Sequence, residues 1–160
     1  MVVSDVVAAS GGSSMSGLIV VGVDGSEPSI EALKWAAHQA RLTGAALEVI
    51  ATWEYPTSLG WSPAWPPDWD PAGVATKALG EVIEKVLGRD ADLEIRQRVI
   101  EGNAAPALVS AARHADLLVV GSRGHGAFAG MLLGSVSEHC ATHSPCPVVI
   151  IRHGHDGEAS

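Results

Sequence analysis

Length, composition and charge narrow the class of protein before any motif is considered. The chain has 160 residues, 47% of them hydrophobic, which is enough for one domain with a core of its own. The 10 Lys and Arg residues are outnumbered by 18 Asp and Glu, for a formal net charge of -8, and no segment gathers basic residues into a stripe. We therefore expect no nucleic-acid partner.

The two ends of the chain differ in composition from the segment between them. Residues 1–17 lack a basic start and carry Asp5 within their apolar part, so they match neither an export signal nor a membrane span. We expect a flexible leader at 1–17, one domain at 18–153 and a flexible tail at 154–160. The protein is then expected in the cytoplasm, with no membrane partner.

Between the ends, apolar runs alternate with segments of helical spacing. A strand at 18–23 precedes a helix that starts after the N-cap Ser26 and stops at Gly44. The next elements are, in order, a strand at 46–53, a helix at 74–87, a strand at 93–100, a helix at 106–114, a strand at 116–120, a helix at 136–142 and a strand at 147–151.

This alternation predicts an α/β fold, a single-domain, doubly wound parallel sheet of five strands. The strand at 93–100 alternates apolar and polar residues, as an edge strand does. Helix 74–87 is expected to turn Val74, Ala78, Ile83 and Val86 inward. The connection at 54–73 is long, and it holds Trp61, Trp65 and Trp69, which fit a lid, a partner surface or a pin for the loop itself.

A second long connection begins where the fourth strand ends. It contains Gly121, Gly124, Gly126, Gly130 and Gly134, and it runs into Ser135-Val136-Ser137-Glu138, which has the spacing of a capping box. Glycines let backbone N–H groups approach an anion, and a helix N-terminus attracts negative charge. Phosphate binding suits this arrangement, although a tight turn with a helix cap and no ligand fits the same residues.

The spacing of these residues also resembles that of a known family. Gly121, Gly124, Gly134 and Ser135 reproduce the G-2x-G-9x-G-[S/T] pattern of the ATP-binding branch of the universal stress proteins, while "VGVDGSEPS" and "SPCPVVIIR" are similar to its first and last strands. The resemblance implies the adenine nucleotide alpha hydrolase-like sheet, with strand order 3-2-1-4-5. It also implies a nucleotide-dependent sensor or regulator in the stress response, and a homodimer formed through the C-terminal strand.

By the same resemblance, individual residues receive roles toward ATP, with or without Mg²⁺. Val23, Asp24 and Ala51 would lie near the adenosine, and Gly121 and Gly124 would let the loop close around ribose and phosphates. Arg123 is the only cation of the loop. Phosphate oxygens would be held by the backbone N–H and hydroxyl groups of Gly134, Ser135, Val136 and Ser137.

Other activities stay open at this point. A slow ATPase and a cyclic AMP binder would use the same cavity, and a ligand-free interaction module would use the tryptophans instead. No nucleophile elbow supports hydrolysis as the main role, so no catalytic residue is assigned. His139 and His143 have the spacing of two metal ligands on one helix, but no second pair faces them, and we expect Cys140 and Cys146 to be free thiols.

Overall fold

The computed structural model describes residues 2–3, 17–55, 66–89, 92–124 and 133–152. The strands are β1 (Val2–Val3), β2 (Leu18–Gly22), β3 (Ala46–Trp53), β4 (Ile95–Glu101), β5 (Leu117–Gly121) and β6 (Val148–Ile151). The helices are α1 (Glu27–Thr43), α2 (Pro71–Leu87), α3 (Ala104–Ala112) and α4 (Ser135–His143).

All six strands form one sheet in the order β1-β6-β5-β2-β3-β4. The five strands from β2 to β6 are parallel, and counted from β2 their order is 3-2-1-4-5, so the predicted fold is confirmed. The predicted edge position of the 93–100 segment is confirmed too, since β4 is the last strand in the order and, among the described strands, pairs with β3 alone. The short β1 was not predicted; it runs antiparallel to β6.

Strands β2, β3, β5 and β6 alternate their side chains between two cores, one on each face of the sheet. On one face, Val21, Val49 and Val119 pack against α1 and α2. On the other face, Val20, Ile50 and Val120 pack against α3 and α4. Strands β2 and β5, at the centre of the sheet, therefore have no polar side chain, as expected of parallel strands buried on both faces.

Most predicted helix boundaries agree with the structure to within three residues, and the differences have local causes. Helix α2 begins at Pro71 rather than at 74 because the Asp70 side chain caps it, accepting from the Gly73 N–H at 3.0 Å. Its inward face was partly mispredicted. Ile83 is buried and Val86 packs on the core, but Val74 is 63% exposed and Ala78 is exposed as well.

The ends of the chain are described only in part. Val2 and Val3 belong to the sheet, and the Gly17 carbonyl accepts the Ala46 N–H at 2.8 Å, so the start of the predicted leader and its last residue are both placed. Residues 4–16 and the predicted tail at 154–160 lie outside the described residues. In the described part of the chain, no helix is long and apolar enough to cross a membrane.

Candidate functional site

A cavity of about 330 Å³ opens at the carboxyl ends of β2 and β5, the point where the strand order reverses. Its size is that of a small-molecule site. The lining residues are Gly22, Val23, Asp24, Ser29, Ile50, Thr52, Ala104, Leu108, Val120, Gly121, Arg123, Gly124, Gly134, Ser135, Val136 and Ser137. Nine of the ten residues predicted from the sequence are among them.

The turn after β2 fixes the Asp24 carboxylate at the cavity wall. Its Oδ1 accepts the Ser26 N–H at 2.9 Å and the Ser26 hydroxyl. Ser26 is the N-cap residue of α1, as predicted, but its hydroxyl donates to Asp24 and makes no cap hydrogen bond. The Asp24 N–H donates to the Ser29 hydroxyl, which in turn donates to the Ser26 carbonyl. The carboxylate thus has a defined direction before any ligand arrives.

The three glycines of the family pattern lie where backbone atoms, or at Gly124 a carboxylate, approach too closely for a side chain. A Cβ at Gly121 would lie 2.7 Å from the Pro28 carbonyl carbon, and one at Gly124 would lie 2.5 Å from the Asp24 Oδ2. At Gly134 it would be 3.3 Å from the Arg123 Cα. None of the three has a positive φ, so lack of a side chain is what the site needs at these positions.

Helix α4 begins at the cavity with backbone donors that have no hydrogen-bond acceptor among the described residues. The predicted capping box is wrong: Gly134 is the N-cap, Ser135 is already the first helical residue, and no side chain caps this helix. The Glu138 N–H makes the first helical bond, to the Gly134 carbonyl at 3.0 Å. The N–H groups of Ser135, Val136 and Ser137 therefore have no acceptor within the helix, and they lie where an anion would be bound.

The Ser137 hydroxyl has a different role from the one the resemblance implies. It is buried and donates to the carbonyls of Ser122, at 2.8 Å, and Gly134, at 3.0 Å. The Ser122 carbonyl also accepts the Gly134 N–H at 2.7 Å, so the two ends of the glycine connection are joined at one oxygen. The hydroxyl proton of Ser137 is thus used in hydrogen bonds within the protein, and the donor that Ser137 can offer to a ligand is its backbone N–H.

Three helices direct their N-termini at the same cavity. Ser29 lies in the first turn of α1, Ala104 begins α3, and Ser135 begins α4, and all three residues line the cavity. Each N-terminus carries a partial positive charge. Arg123 adds a full positive charge, and among the described lining residues the only opposite charge is that of Asp24. The field at the site therefore favours an anion, and Asp24 is the one carboxylate among the described lining residues.

One residue predicted for the site, Ala51 of β3, is not among the lining residues, whereas its two neighbours in the strand are. The Ala51 side chain does not line the cavity; it packs against the core on the α1 and α2 face. Its neighbours Ile50 and Thr52 point to the other face and line the cavity, because successive side chains of a strand alternate. The alternation of side chains along β3 would have predicted Ile50 and Thr52 as lining residues if the face of the sheet that carries the cavity had been known.

Further lining residues were not foreseen because they come from elements distant in sequence. Leu108 of α3 closes the apolar side of the cavity, and its side chain would lie 2.7 Å from a Cβ at Gly22. Asn103 caps α3 through the Ala105 N–H at 3.0 Å, which sets Ala104 at the rim. Asn103 directly before an apolar helix is a typical N-cap and could have predicted the start of α3. The position of that helix beside the cavity, however, follows only from the order of strands in the sheet.

The other side chains singled out in the sequence do not form a second site in the described residues. Tyr55 packs edge-on against Trp53 and Trp69, with ring centroids 5.0 and 5.7 Å apart, while Trp61 and Trp65 lie outside the described residues. The rings of His139 and His143 stack at 4.2 Å. In the described part of the chain, no three His, Cys, Asp or Glu residues are grouped to hold a metal.

Both cysteines are free, as predicted. Burial, followed by the neighbouring Cys146, raises the pKa of the Cys140 thiol from 9.0 to about 11. Burial also raises the pKa of Cys146, against an opposing hydrogen bond from Ser144. Neither thiol is activated as a nucleophile, because both environments favour the protonated form.

Comparison with known proteins agrees with this geometry. The family model "Universal stress protein family" matches residues 15–152. The chain belongs to the universal stress protein family. A universal stress protein of Mycobacterium tuberculosis is 36% identical over 150 residues, 89% of this chain and 49% of that protein. The chain spans about half the length of the curated relatives it matches.

Solved structures of the family share the fold. UspA from Lactobacillus plantarum superposes with a TM-score of 0.67 at 23% identity, covering 86% of this chain and 98% of that one. A universal stress protein solved in complex with cyclic AMP is 30% identical, with a TM-score of 0.57, over 84% of this chain and 95% of that chain.

Proposed function

We propose that this universal stress protein binds ATP in the cavity between β2 and β5 and acts in the cytoplasm as a nucleotide-dependent regulator of the stress response. The observation that carries the proposal is the convergence on one cavity of three helix N-termini, Arg123 and the close-packed glycines. These groups supply backbone donors and positive potential at the place where phosphates would lie.

The two ends of the cavity suit the two ends of a nucleotide. Ile50, Leu108 and Val120 form an apolar surface on which a base can pack, and Thr52 adds a hydroxyl beside them. Ser135 and Val136 stand at the phosphate end with Arg123. The Asp24 carboxylate also lines the cavity and would accept a hydrogen bond from a ribose hydroxyl or a base amine. Mg²⁺ would be held mainly by phosphate oxygens and water, because Asp24 is the only carboxylate among the described lining residues.

Cyclic AMP is the second candidate ligand, since the solved relative at 30% identity is a cyclic AMP complex. Slow ATP hydrolysis is a third reading of the same cavity. A homodimer through β6, which the family resemblance implies, completes the proposal. Regulation would then act through the effect of bound nucleotide on self-association or on partner choice.

The test is equilibrium dialysis of the purified chain with labelled ATP, with and without excess cyclic AMP. Thr52→Phe should fill the base end of the cavity and abolish saturable binding, whereas Ala51→Ser, on the opposite face of the same strand, should leave it intact. Displacement by cyclic AMP at comparable concentration would favour that ligand instead. Release of phosphate from bound ATP would favour the ATPase. No saturable binding of either nucleotide to the folded chain would overturn the proposal.

A further inference from the structure

The two edges of the sheet are protected in different ways. The β4 edge is lined with polar side chains, among them Arg96 and Arg98, which pair with Glu94 at 3.2 Å and with Glu48 at 3.5 Å. Charged side chains on an edge strand oppose pairing with another strand. The β6 edge carries no charged side chain, because Val148–Ile151 is entirely apolar. Its first three side chains are only 3–5% exposed.

The β6 edge is instead covered by β1. Val2 lies opposite Ile150 and Val3 opposite Val149. On the inner side of β6, the Leu118 N–H donates to the Pro147 carbonyl at 3.0 Å, and the Ser122 N–H donates to the Ile151 carbonyl at 2.7 Å. The odd-numbered residues of β6 therefore bond to β5, and the backbone groups of Val148 and Ile150 face outward, toward β1.

A second copy of the chain would need these same outward groups. Two β6 strands related by a twofold axis would pair antiparallel, and in a strand of four residues the pairing must use the backbone of Val148 and Ile150. Since β1 occupies the groups of Ile150, the two pairings exclude each other. We infer that β1 is a removable cap that keeps β6 from pairing with β6 of a second copy.

The extent of the two pairings explains why the cap can be displaced. β1 contributes two residues and thus very few hydrogen bonds, and ordering those residues has an entropy cost that offsets part of the gain. A second copy would bring the whole length of its own β6. Residues 4–17 separate β1 from β2 in the sequence, so β1 is not continuous with the strand that carries the site. The inference rests on the homodimer part of the proposed function and not on nucleotide binding.

The experiment compares self-association of three full-length proteins by sedimentation equilibrium. Val2→Pro combined with Val3→Pro removes the backbone N–H groups of β1 and with them the cap. Val2→Thr combined with Val3→Thr keeps the N–H groups and β-branched side chains and serves as the matched control. We expect the dimer Kd of the proline variant to be at least tenfold lower than that of the parent chain and of the threonine control.

Amide hydrogen exchange locates the contact. In the proline variant, the amides of Val148 and Ile150 should become more protected as protein concentration rises, while those of Val149 and Ile151, already bonded to β5, should not change. An unchanged dimer Kd would overturn the inference. Association without new protection at Val148 and Ile150 would overturn it as well, because the contact would then lie elsewhere. A parent chain that already dimerises through β6 would refute the cap while leaving the homodimer in place, and ATP dialysis reports on nucleotide binding independently.

Discussion

Gly124→Ala tests the link between the glycine pattern and the nucleotide most directly. A Cβ at this position would lie 2.5 Å from the Asp24 Oδ2, closer than real contacts allow. The atom it meets is the end of a side chain, so Asp24 can rotate away while the backbone stays in place. The rotation displaces the carboxylate from the Ser26 N–H, which it accepts at 2.9 Å, and from the cavity wall.

The size of the effect follows from that displaced carboxylate. A hydrogen bond to a charged group contributes about 1.5–3 kcal/mol. If the ligand loses one such bond to Asp24, the Kd for ATP should rise roughly 10- to 150-fold. The melting temperature should fall by no more than about 4 °C, because Asp24 lies on the surface of the fold and no core contact is lost.

Equilibrium dialysis with labelled ATP gives the Kd, and thermal unfolding gives the melting temperature of the same samples. Gly80→Ala is the matched control, because its Cβ would lie 3.4 Å from the Gln97 side chain, an ordinary contact far from the cavity. We expect the control to bind ATP as the parent chain does. A Gly124→Ala protein that binds ATP within twofold of the control would refute the assignment of Asp24 and Gly124 to the ligand site.

Three further predictions follow from the local geometry. Ser137→Ala removes the donor that joins α4 to the Ser122 carbonyl and should lower stability by about 1 kcal/mol, seen as a lower melting temperature, whereas Ser135→Ala should leave the melting temperature unchanged. In ATP dialysis, Ser135→Ala should raise the Kd by no more than about tenfold, through loss of one hydroxyl contact. Because burial raises the pKa of Cys140 from 9.0 to about 11, the unfolded chain loses this proton first, so the free energy of unfolding should fall by about 2 kcal/mol between these pH values. Denaturant titrations of a Cys140→Ala variant should show a flatter alkaline slope; an equally steep slope would mean that Cys140 is not the cause.

The order of helices and strands along the chain could be predicted from local patterns, whereas the strand order and the residues of the candidate site were implied by the family resemblance. Apolar runs alternating with helical spacing predicted the five parallel strands, and the strand at 46–53 agrees with β3 residue for residue. The glycine pattern from Gly121 to Ser135 predicted where the cavity lies, because close approach of backbone or carboxylate atoms requires residues without side chains at fixed positions. These features are properties of neighbours in the chain.

Only the tertiary structure decided which segments far apart in the chain are in contact. The face of β3 that lines the cavity depends on which helices cover it, and so Thr52 and not Ala51 contributes its side chain. Ser135 looked like an N-cap by its spacing to Glu138, but the approach of Gly134 to Ser122 and Arg123 moved the start of α4 back by one residue. Pairing of Val2 and Val3 with β6 has no local signal at all, because a strand of two residues is defined by its partner alone.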